Sequence, residues 1–358
     1  MSNLALTMNN LAATLADRGD LAGAQKLQER VLEARTRVLG AEHPDTVTSM
    51  GNLAKTVYAR GDLAGAQKLQ ERVLEASTPL LGAEHPDTLR SMNNLAATLC
   101  ARGDLAGAQN LQERVLEART RLLGAEHPDT LTSMNNLTAT LGDRGDLAGA
   151  QKLLERVLET QTRLLGAEHP NTLKSVNNLA GTLYRSGDLA GAQKLQERVL
   201  ATWTRLLGAE HPDTLTSMSN LAATLADRGD LAGAQDLQER VLEATTRVLG
   251  AEHPYALTSM DNLAGTLADR GDLAGAQKLQ ERVLEARTRV LGAEHPATLT
   301  SMNNLAVTLY GRGDLAGAQQ LLERMLEAQA RLLGAEHPNT RISAENLAVI
   351  RAAIKEQR

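Results

Sequence analysis

The chain has 358 residues, of which 42% are hydrophobic, only 1% are aromatic and none is phenylalanine. Its formal net charge of −5 mixes both signs, which argues against a nucleic-acid surface, and its single cysteine excludes a disulfide framework and fits a reducing compartment. No apolar run approaches the roughly 18 residues of a membrane span, and no signal peptide is recognisable, so we expect a cytoplasmic protein without a membrane or nucleic-acid partner.

Almost the whole sequence is a repeat with a period of 42 residues, as the spacing between Gly19 and Gly61 shows. All eight histidines occupy one position of this repeat, and a proline follows each of them. Pro79 is the one proline outside that position. The histidines are His43, His85, His127, His169, His211, His253, His295 and His337.

The copy around residues 207–249 predicts two helices. Pro212 opens the first, because its missing N–H would lack an intrahelical partner anyway. Gly229 favours the end of that helix, and Asp230 is a good N-cap for the second. Apolar residues at helical spacing mark one buried face on each helix. These residues are Leu215, Met218, Leu221, Ala222 and Leu225 in the first helix, and Leu231, Ala234, Leu237, Val241, Leu242, Val248 and Leu249 in the second.

Taken along the chain, the pattern predicts eight such helix pairs and a final unpaired helix. The pairs span about residues 3–39, 44–81, 86–123, 128–165, 170–207, 212–249, 254–291 and 296–333, and the capping helix spans about 338–355. Because one pair cannot bury its apolar face alone, it stacks on its neighbours. We therefore expect one all-α array over residues 1–358, without a second domain.

Two repeated features and one variable position have structural interpretations. Stacked pairs about 10 Å apart separate the histidines too far for one Zn²⁺ with ligands at about 2 Å, so we expect them to shape the turn between repeats. Gly233, which lowers helix stability by roughly 1 kcal/mol, is explained by close packing of a neighbouring helix. Trp203 occupies a position that holds Arg35, Ser77 or other side chains elsewhere, which predicts an exposed site.

The arrangement of Met218, Leu221, Ala222, Leu225 and Ala234 resembles the tetratricopeptide repeat, although aliphatic residues replace that family's aromatics and its closing proline is absent. The LGxEHPDT and NNLA segments look like the 42-residue subclass of kinesin light chains and of arrays attached to bacterial signalling NTPases. The resemblance covers about residues 3–354. It implies a right-handed superhelical α-solenoid that binds proteins or peptides on a concave face lined by first helices.

Side chains placed at 100° per residue put Asn220 and Ala223 opposite Met218 and Leu221, toward the expected groove. An asparagine amide offers donors and an acceptor to a peptide backbone, and the resemblance implies that role. The alternative is that it bonds to the next helix and orders the stack. The row comprises Asn10, Asn52, Asn94, Asn136, Asn178, Asn220, Asn262 and Asn304.

Positions that differ between copies predict where the charge and the aromatic content of this groove change along its length. Lys55 with Tyr58, and Arg185 with Tyr184, form two mildly basic and aromatic spots, unless they reflect neutral drift at exposed positions. No nucleophile–base pair, phosphate loop or metal-ligand spacing occurs, so we expect no enzyme, cofactor or metal.

These patterns predict a protein-interaction scaffold that holds an extended peptide or a partner helix in its groove. One alternative is head-to-tail self-association, because the first helix has no apparent polar cap and such contacts can run on into filaments. Another is a sensor segment of a larger signalling protein.

Overall fold

A computed structural model describes the backbone of residues 2–357, and the side chains in that range except those of residues 2–6, 17, 333 and 357. Within this range lie seventeen α-helices and no strand. The chain divides into two compact units, one ending at Thr182 and the other beginning at Leu183. The all-α class, with about eight helix-turn-helix repeats and a C-terminal capping helix, is confirmed, whereas the predicted domain bounds remain a prediction.

The first unit contains helices α1 to α8 and most of α9. Their bounds are α1 (Ser2–Asp17), α2 (Leu21–Leu39), α3 (Pro44–Ala59), α4 (Leu63–Leu81), α5 (Pro86–Ala101), α6 (Leu105–Leu123), α7 (Pro128–Asp143), α8 (Leu147–Leu165) and α9 (Pro170–Arg185). The second unit contains the end of α9 and the remaining helices. These are α10 (Leu189–Leu207), α11 (Pro212–Asp227), α12 (Leu231–Leu249), α13 (Pro254–Asp269), α14 (Leu273–Leu291), α15 (Pro296–Gly311), α16 (Leu315–Leu333) and α17 (Pro338–Gln357).

Each repeated histidine lies at the start of a first helix, as His127 illustrates. Its Nδ1 accepts a hydrogen bond from the backbone N–H of Asp129 at 3.1 Å, and Pro128 follows as the first helical residue. Thr130 donates its hydroxyl to the carbonyl of Gly124 at 2.8 Å, which closes the turn between the repeats. The histidines therefore serve as helix caps in the turns between repeats.

The Arg-Gly-Asp segment between the two helices of a pair combines three local functions. Arg228 follows α11 and donates to the side chain of Gln193 on the preceding second helix. Gly229 has a φ of +86°, a conformation that glycine adopts without steric cost. Asp230 is the N-cap of α12, and its carboxylate accepts a hydrogen bond from the N–H of Gly233 at 3.0 Å.

This cap explains the glycine in the first turn of every second helix. A Cβ on Gly233 would lie 2.6 Å from Oδ2 of Asp230, and no neighbouring helix is among its three nearest contacts. The explanation by packing of a neighbouring helix is therefore wrong. Glycine is needed because the capping carboxylate of the same helix occupies the space.

The core of each pair consists of aliphatic side chains packed against alanines. In the sixth pair, buried residues of α11 and α12 form one cluster, namely Leu215, Met218, Leu221, Ala222, Ala234, Leu237, Val241 and Ala244. Val248 and Leu249, which the periodicity placed on the buried face, are 56% and 45% exposed. That expectation is wrong because α12 has 19 residues and α11 only 16, so the last turn of α12 extends beyond its partner.

Helix α17 covers the open face of α16 in the second unit. Leu347 and Ile350 are buried against the last pair, and Ile354 packs beside them. Arg351 forms an ion pair with Glu323 of α16 at 2.8 Å on the exposed side. Two residues more at its C-terminus distinguish this helix from the predicted capping helix, which ended at Lys355.

The cap predicts opposite effects for two glycine substitutions in the second unit. Gly233→Ala should destabilise the array by about 1 kcal/mol, because its Cβ collides with the capping carboxylate. Gly265→Ala lies within α13, where an added Cβ meets nothing within 4 Å, and should stabilise by up to about 1 kcal/mol. Thermal unfolding followed by circular dichroism measures both changes.

A double variant provides the control for this prediction. Asp230→Ala removes the oxygen with which the new Cβ collides, so the added cost of Gly233→Ala should disappear in that background. If Gly233→Ala destabilises the protein equally with and without Asp230, the collision is not the cause.

Candidate functional site

One side of each first helix carries the repeated asparagine. On α11, Asn220 is half-buried and Ala223 and Asp227 are exposed, whereas Leu215 and Met218 point into the core. We call the side that carries Asn10, Asn52, Asn94, Asn136, Asn178, Asn220, Asn262 and Asn304 the asparagine face.

The predicted site residues are all accessible on this side or at its edge. Asn52, Asn94, Asn220, Asn304 and Tyr184 are half-buried, and Asn136, Asn178, Asn262, Lys55, Tyr58 and Arg185 are exposed. The preceding asparagine of the NNLA segment turns inward, because the side-chain oxygens of Asn93 and Asn135 are buried without a hydrogen-bond partner. Adjacent asparagines therefore occupy different environments, and only the second reaches the asparagine face.

Two residues of the predicted basic and aromatic spots have neighbours that the sequence analysis did not identify. Lys55 and Arg90 of the next first helix line the same cavity, and Tyr58 is not part of that lining. Tyr184 donates its hydroxyl to the carboxylate of Asp227 on α11, so this aromatic ring is tied to an acidic neighbour. The sequence thus located residues with special chemistry but not the partners that they meet.

The pKa of Tyr184 is raised above its ordinary value. The largest cause is the hydrogen bond to Asp227, which only the protonated phenol can donate, followed by burial and by the negative charge of Asp227. This hydrogen bond joins the first helices of two consecutive repeats on the asparagine face.

A cavity of about 190 Å³ opens between α3, α4 and α5 in the first unit. Gly51, Val47 and Lys55 line it from α3, and Arg90 lines it from α5. The contribution of α4 includes Gln70, Val73, Ser77, Leu80 and Leu81, and further lining residues are Pro44, Thr48, Asn52, Asp87, Ser91 and Asn94.

Two positions of the repeat border such a gap. One is on the first helix and the other on the second, and Asp261 and Arg287 occupy them in the seventh pair, where they form an ion pair at 2.7 Å. The second pair has the smallest combination, Gly51 with Ser77. The others are Asn9 with Arg35, Asn93 with Arg119, Asn135 with Gln161, Asn177 with Trp203, Ser219 with Thr245, and Asn303 with Gln329.

The second of these positions is buried, so the exposed site predicted for Trp203 is wrong. Trp203 is 3% exposed, and Ser77 and Thr245 at the equivalent positions are also buried. The position accepts many side chains because it lies behind a gap that opens toward solvent. A small side chain therefore leaves an accessible cavity rather than a sealed void.

The ion pair in the seventh repeat shows what burial does at these positions. Burial raises the pKa of Asp261, and the attraction of Arg287 offsets only part of that effect. Arg287 also donates to the hydroxyl of Ser301 at 2.7 Å, so its guanidinium bridges two first helices.

A second recess lies at the other end of the sequence, within the second unit. A cavity of about 340 Å³ between α15, α16 and α17 includes Asn303, Gln329 and Ile342 in its lining. A neighbouring cavity of about 180 Å³ includes Val307 and Val349. Exposed aliphatic side chains replace the cations of the first cavity, so the two recesses differ in chemistry.

Sequence reasoning missed Gly51, Ser77 and Arg90 as site residues. A comparison of equivalent positions could have found them, because threonine or lysine replaces Arg90 in most other copies. That comparison does not show that these positions line the same cavity.

Among the residues that the structure describes, no group of three or more His, Cys, Asp or Glu side chains is placed to hold a metal ion. Within the same range, no helix combines the length and the apolar character needed to cross a membrane.

Comparison with known families matches the chain to the tetratricopeptide repeat model over residues 3–78, 57–120, 87–161, 139–193, 173–247, 218–288 and 258–330. A comparison with curated protein sequences found no match.

Solved structures with a similar fold include repeat proteins of kinesin-light-chain type. A putative kinesin light chain from Podosopora anserina with nearly identical TPR-like repeats is 33% identical, with a TM-score of 0.53, over 58% of this chain and 99% of that chain. BtubC (BKLC) from P. vanneervenii is 21% identical, with a TM-score of 0.56, over 65% and 94%. A Rap protein complexed with Competence and Sporulation Factor shares the fold at 13% identity, with a TM-score of 0.55, over 100% of both chains.

The hydrogen bond of Tyr184 predicts a defined pH dependence. Because folding raises the pKa of Tyr184, the stabilisation by this bond is fully present below the unfolded pKa of about 10 and is lost as the pH rises through the folded value. In a titration followed by tyrosinate absorbance, Tyr184→Phe should remove a late transition, and Asp227→Asn should move it to lower pH. Tyr310→Phe serves as the control and should leave that transition in place; its survival in Tyr184→Phe would contradict the assignment.

Proposed function

Because the chain belongs to the tetratricopeptide repeat family, we propose that it is a non-catalytic interaction scaffold whose asparagine face binds an extended peptide or a partner helix. Its solved neighbours confirm the resemblance to kinesin-light-chain-like repeats. The observation that carries the proposal is the accessibility of the repeated asparagine in both units. We also infer a cytoplasmic location, because a single cysteine fits a reducing compartment.

The spacing of the asparagines suits an extended ligand. Stacked helices lie about 10 Å apart, and an extended peptide rises about 3.3 Å per residue. One asparagine therefore meets the peptide about every third residue, and its amide can donate to a carbonyl and accept from an N–H. Such contacts hold a peptide backbone without regard to its side chains.

Selectivity then has to come from positions that differ between copies. The equivalent position holds Lys55 in the second pair, Val307 in the eighth and small residues in the others. The Rap neighbour, which shares only the fold, was solved with Competence and Sporulation Factor bound, so this kind of array can carry a partner.

Adjacent asparagines provide a matched test of binding. Peptides selected from a randomised nonapeptide display library supply the ligand. Asn94→Ala with Asn136→Ala should weaken its binding about tenfold, which corresponds to two hydrogen bonds of roughly 0.5–1 kcal/mol each. Titration calorimetry measures the affinity, and circular dichroism checks that the helices persist.

The control exchanges the preceding, inward asparagines. Asn93→Ala with Asn135→Ala changes the same two helices on their buried side and should leave the affinity within twofold. If the first pair of substitutions lowers the melting temperature without weakening the peptide, the asparagines order the stack and do not bind a ligand.

Head-to-tail self-association is a second candidate function, favoured by the exposure of core positions on α1. Leu11 is 49% exposed, whereas Leu53 and Leu221 at equivalent positions are 5% exposed. This apolar face is covered by any helix pair that packs before α1, whether from a further repeat or from a second copy. Ile342 and Val349 provide exposed apolar side chains on α17.

Mass in solution, measured by light scattering over a hundredfold range of concentration, tests this second function. Mass that rises with concentration and stays constant in Leu11→Lys would support end contacts, because burial of the introduced charge opposes them. Leu122→Lys is the control, since Leu122 is exposed at the end of α6 and away from α1. A constant mass in the unmodified protein rejects self-association.

A further inference from the structure

We propose that the cavity between α3, α4 and α5 anchors the bound peptide and takes an acidic side chain, Asp or Glu. The inference rests on the proposed peptide binding and adds a location and a ligand chemistry to it.

Two small residues, Gly51 and Ser77, line this cavity from α3 and α4. Gly51 replaces an asparagine, serine or aspartate found at this position in other copies, and Ser77 replaces larger side chains such as Arg119 and Gln161. The cavity has a volume of about 190 Å³. A protein cavity of about 150 Å³ holds a molecule the size of benzene, so a glutamate side chain fits.

The rim of this cavity carries more positive than negative charge. Lys55 stands where other copies have Ala13, Ala97 or other neutral residues, and Arg90 stands where most others have threonine. Both cations line the same cavity, and Asp87 is the one carboxylate in the lining. Asp87 lies 2.8 Å from Arg90, which leaves one unit of positive charge for a singly charged ligand.

The interior of the cavity combines apolar side chains with the buried amide of Gln70, whose Oε1 has no hydrogen-bond partner among the described residues, and its hydroxyl donors are already engaged. Val47 and Val73 are buried there. The hydroxyl of Ser77 donates to the carbonyl of Val73, and the hydroxyl of Ser91 donates to the carbonyl of Asp87 at 2.9 Å. A carboxylate therefore finds its charged donors at the rim, on Lys55 and Arg90, while its methylene stem rests on the valines.

The charge balance favours a carboxylate over a phosphate group. A phosphorylated side chain carries close to two negative charges at neutral pH, and the second would stand near the carboxylate of Asp87. A lysine or arginine side chain would instead meet both rim cations. The acidic side chain is the class that matches the charge and the depth of this cavity.

The next gap along the first unit shows the filled arrangement. There Arg119 donates to the hydroxyl of Ser133 and to the carbonyl of Asp129, both at 2.9 Å, and thereby occupies the space behind the first helices. Ala97 and Thr132 take the positions of the two rim cations. The chain thus contains its own control for each substitution below.

The experiment selects nonapeptides from a randomised display library on the full chain. The expected result is a ligand population with Asp or Glu at one fixed position. Lys55→Ala and Arg90→Thr, which copy Ala97 and Thr132, should each weaken the selected peptide about fivefold and remove the acidic preference, with larger losses at low salt. Exchange of the acidic residue for Gln in the peptide should have a similar effect.

Two further variants separate space from charge. Gly51→Asn with Ser77→Trp introduces the residues that the fifth pair has at these positions, keeps both cations and fills the cavity with a large neutral side chain, so it should abolish the acidic preference. Asp87→Asn, which copies Asn171, removes the competing carboxylate and should strengthen the selected peptide severalfold. Lys174→Thr removes a cation at another repeat and should have no effect.

The outcomes distinguish this inference from the proposed function. Selected peptides without an acidic preference, or a preference that survives filling of the cavity, would overturn the acidic subsite while peptide binding stands. An equal loss of affinity in Lys174→Thr would show general electrostatic attraction and would also overturn it. Failure of the chain to select any peptide would reject the proposed function itself.

Discussion

The close contact between the two helices of a pair is the interaction on which the rest of the structure depends. Ala234, near the start of α12, and Ala222 of α11 are both completely buried, and the equivalent alanines of most other pairs are buried as well. Because alanine has only one side-chain carbon, the helices approach closely, and small residues suffice for a core without phenylalanine. Each pair still leaves an apolar face, which its neighbours have to cover. The stacking of consecutive pairs within each unit follows from this constraint.

The helix starts are predictable from residues within one turn of the chain. The same helix cap explains why the role predicted for Gly233 was wrong. Pro212 and Asp230 identify helix starts, because N-terminal proline and capping aspartate act within one turn of the chain. The reason for Gly233 requires knowledge of where the capping carboxylate lies, which periodicity does not contain. Val248 and Leu249 were assigned to the core because their spacing is right, but the first helix is too short to cover them. Sequence periodicity therefore predicts a helical face better than it predicts where burial ends.

The candidate site was predictable in part, for a related reason. The position of Asn220 on its helix follows from helical geometry, and its accessibility follows from the opposite placement of Met218. The prediction that Trp203 is exposed was wrong. It relied on the variation of this position between copies, which is usually a sign of exposure. Here it signals a buried position behind an open gap, where solvent or a neighbouring side chain takes the space that a smaller residue leaves. Only the three-dimensional structure shows that Gly51 and Ser77 border the same gap.

A repetitive surface poses a problem for selectivity, because identical repeats bind any register of a peptide equally well. Smaller side chains at a few positions can distinguish one repeat from the others without changing how the helices pack. Gly51 and Ser77 are smaller than Asn93 and Arg119 at the equivalent positions of the next gap, while the alanines of the helix contact remain buried. Two cations then give that one gap a charge preference. In the function that we propose, an anchor of this kind would fix the register of an extended ligand, and the row of asparagines would supply affinity along the remaining length. Recognition would then depend on the few places where the copies differ, whereas stability depends on what they share.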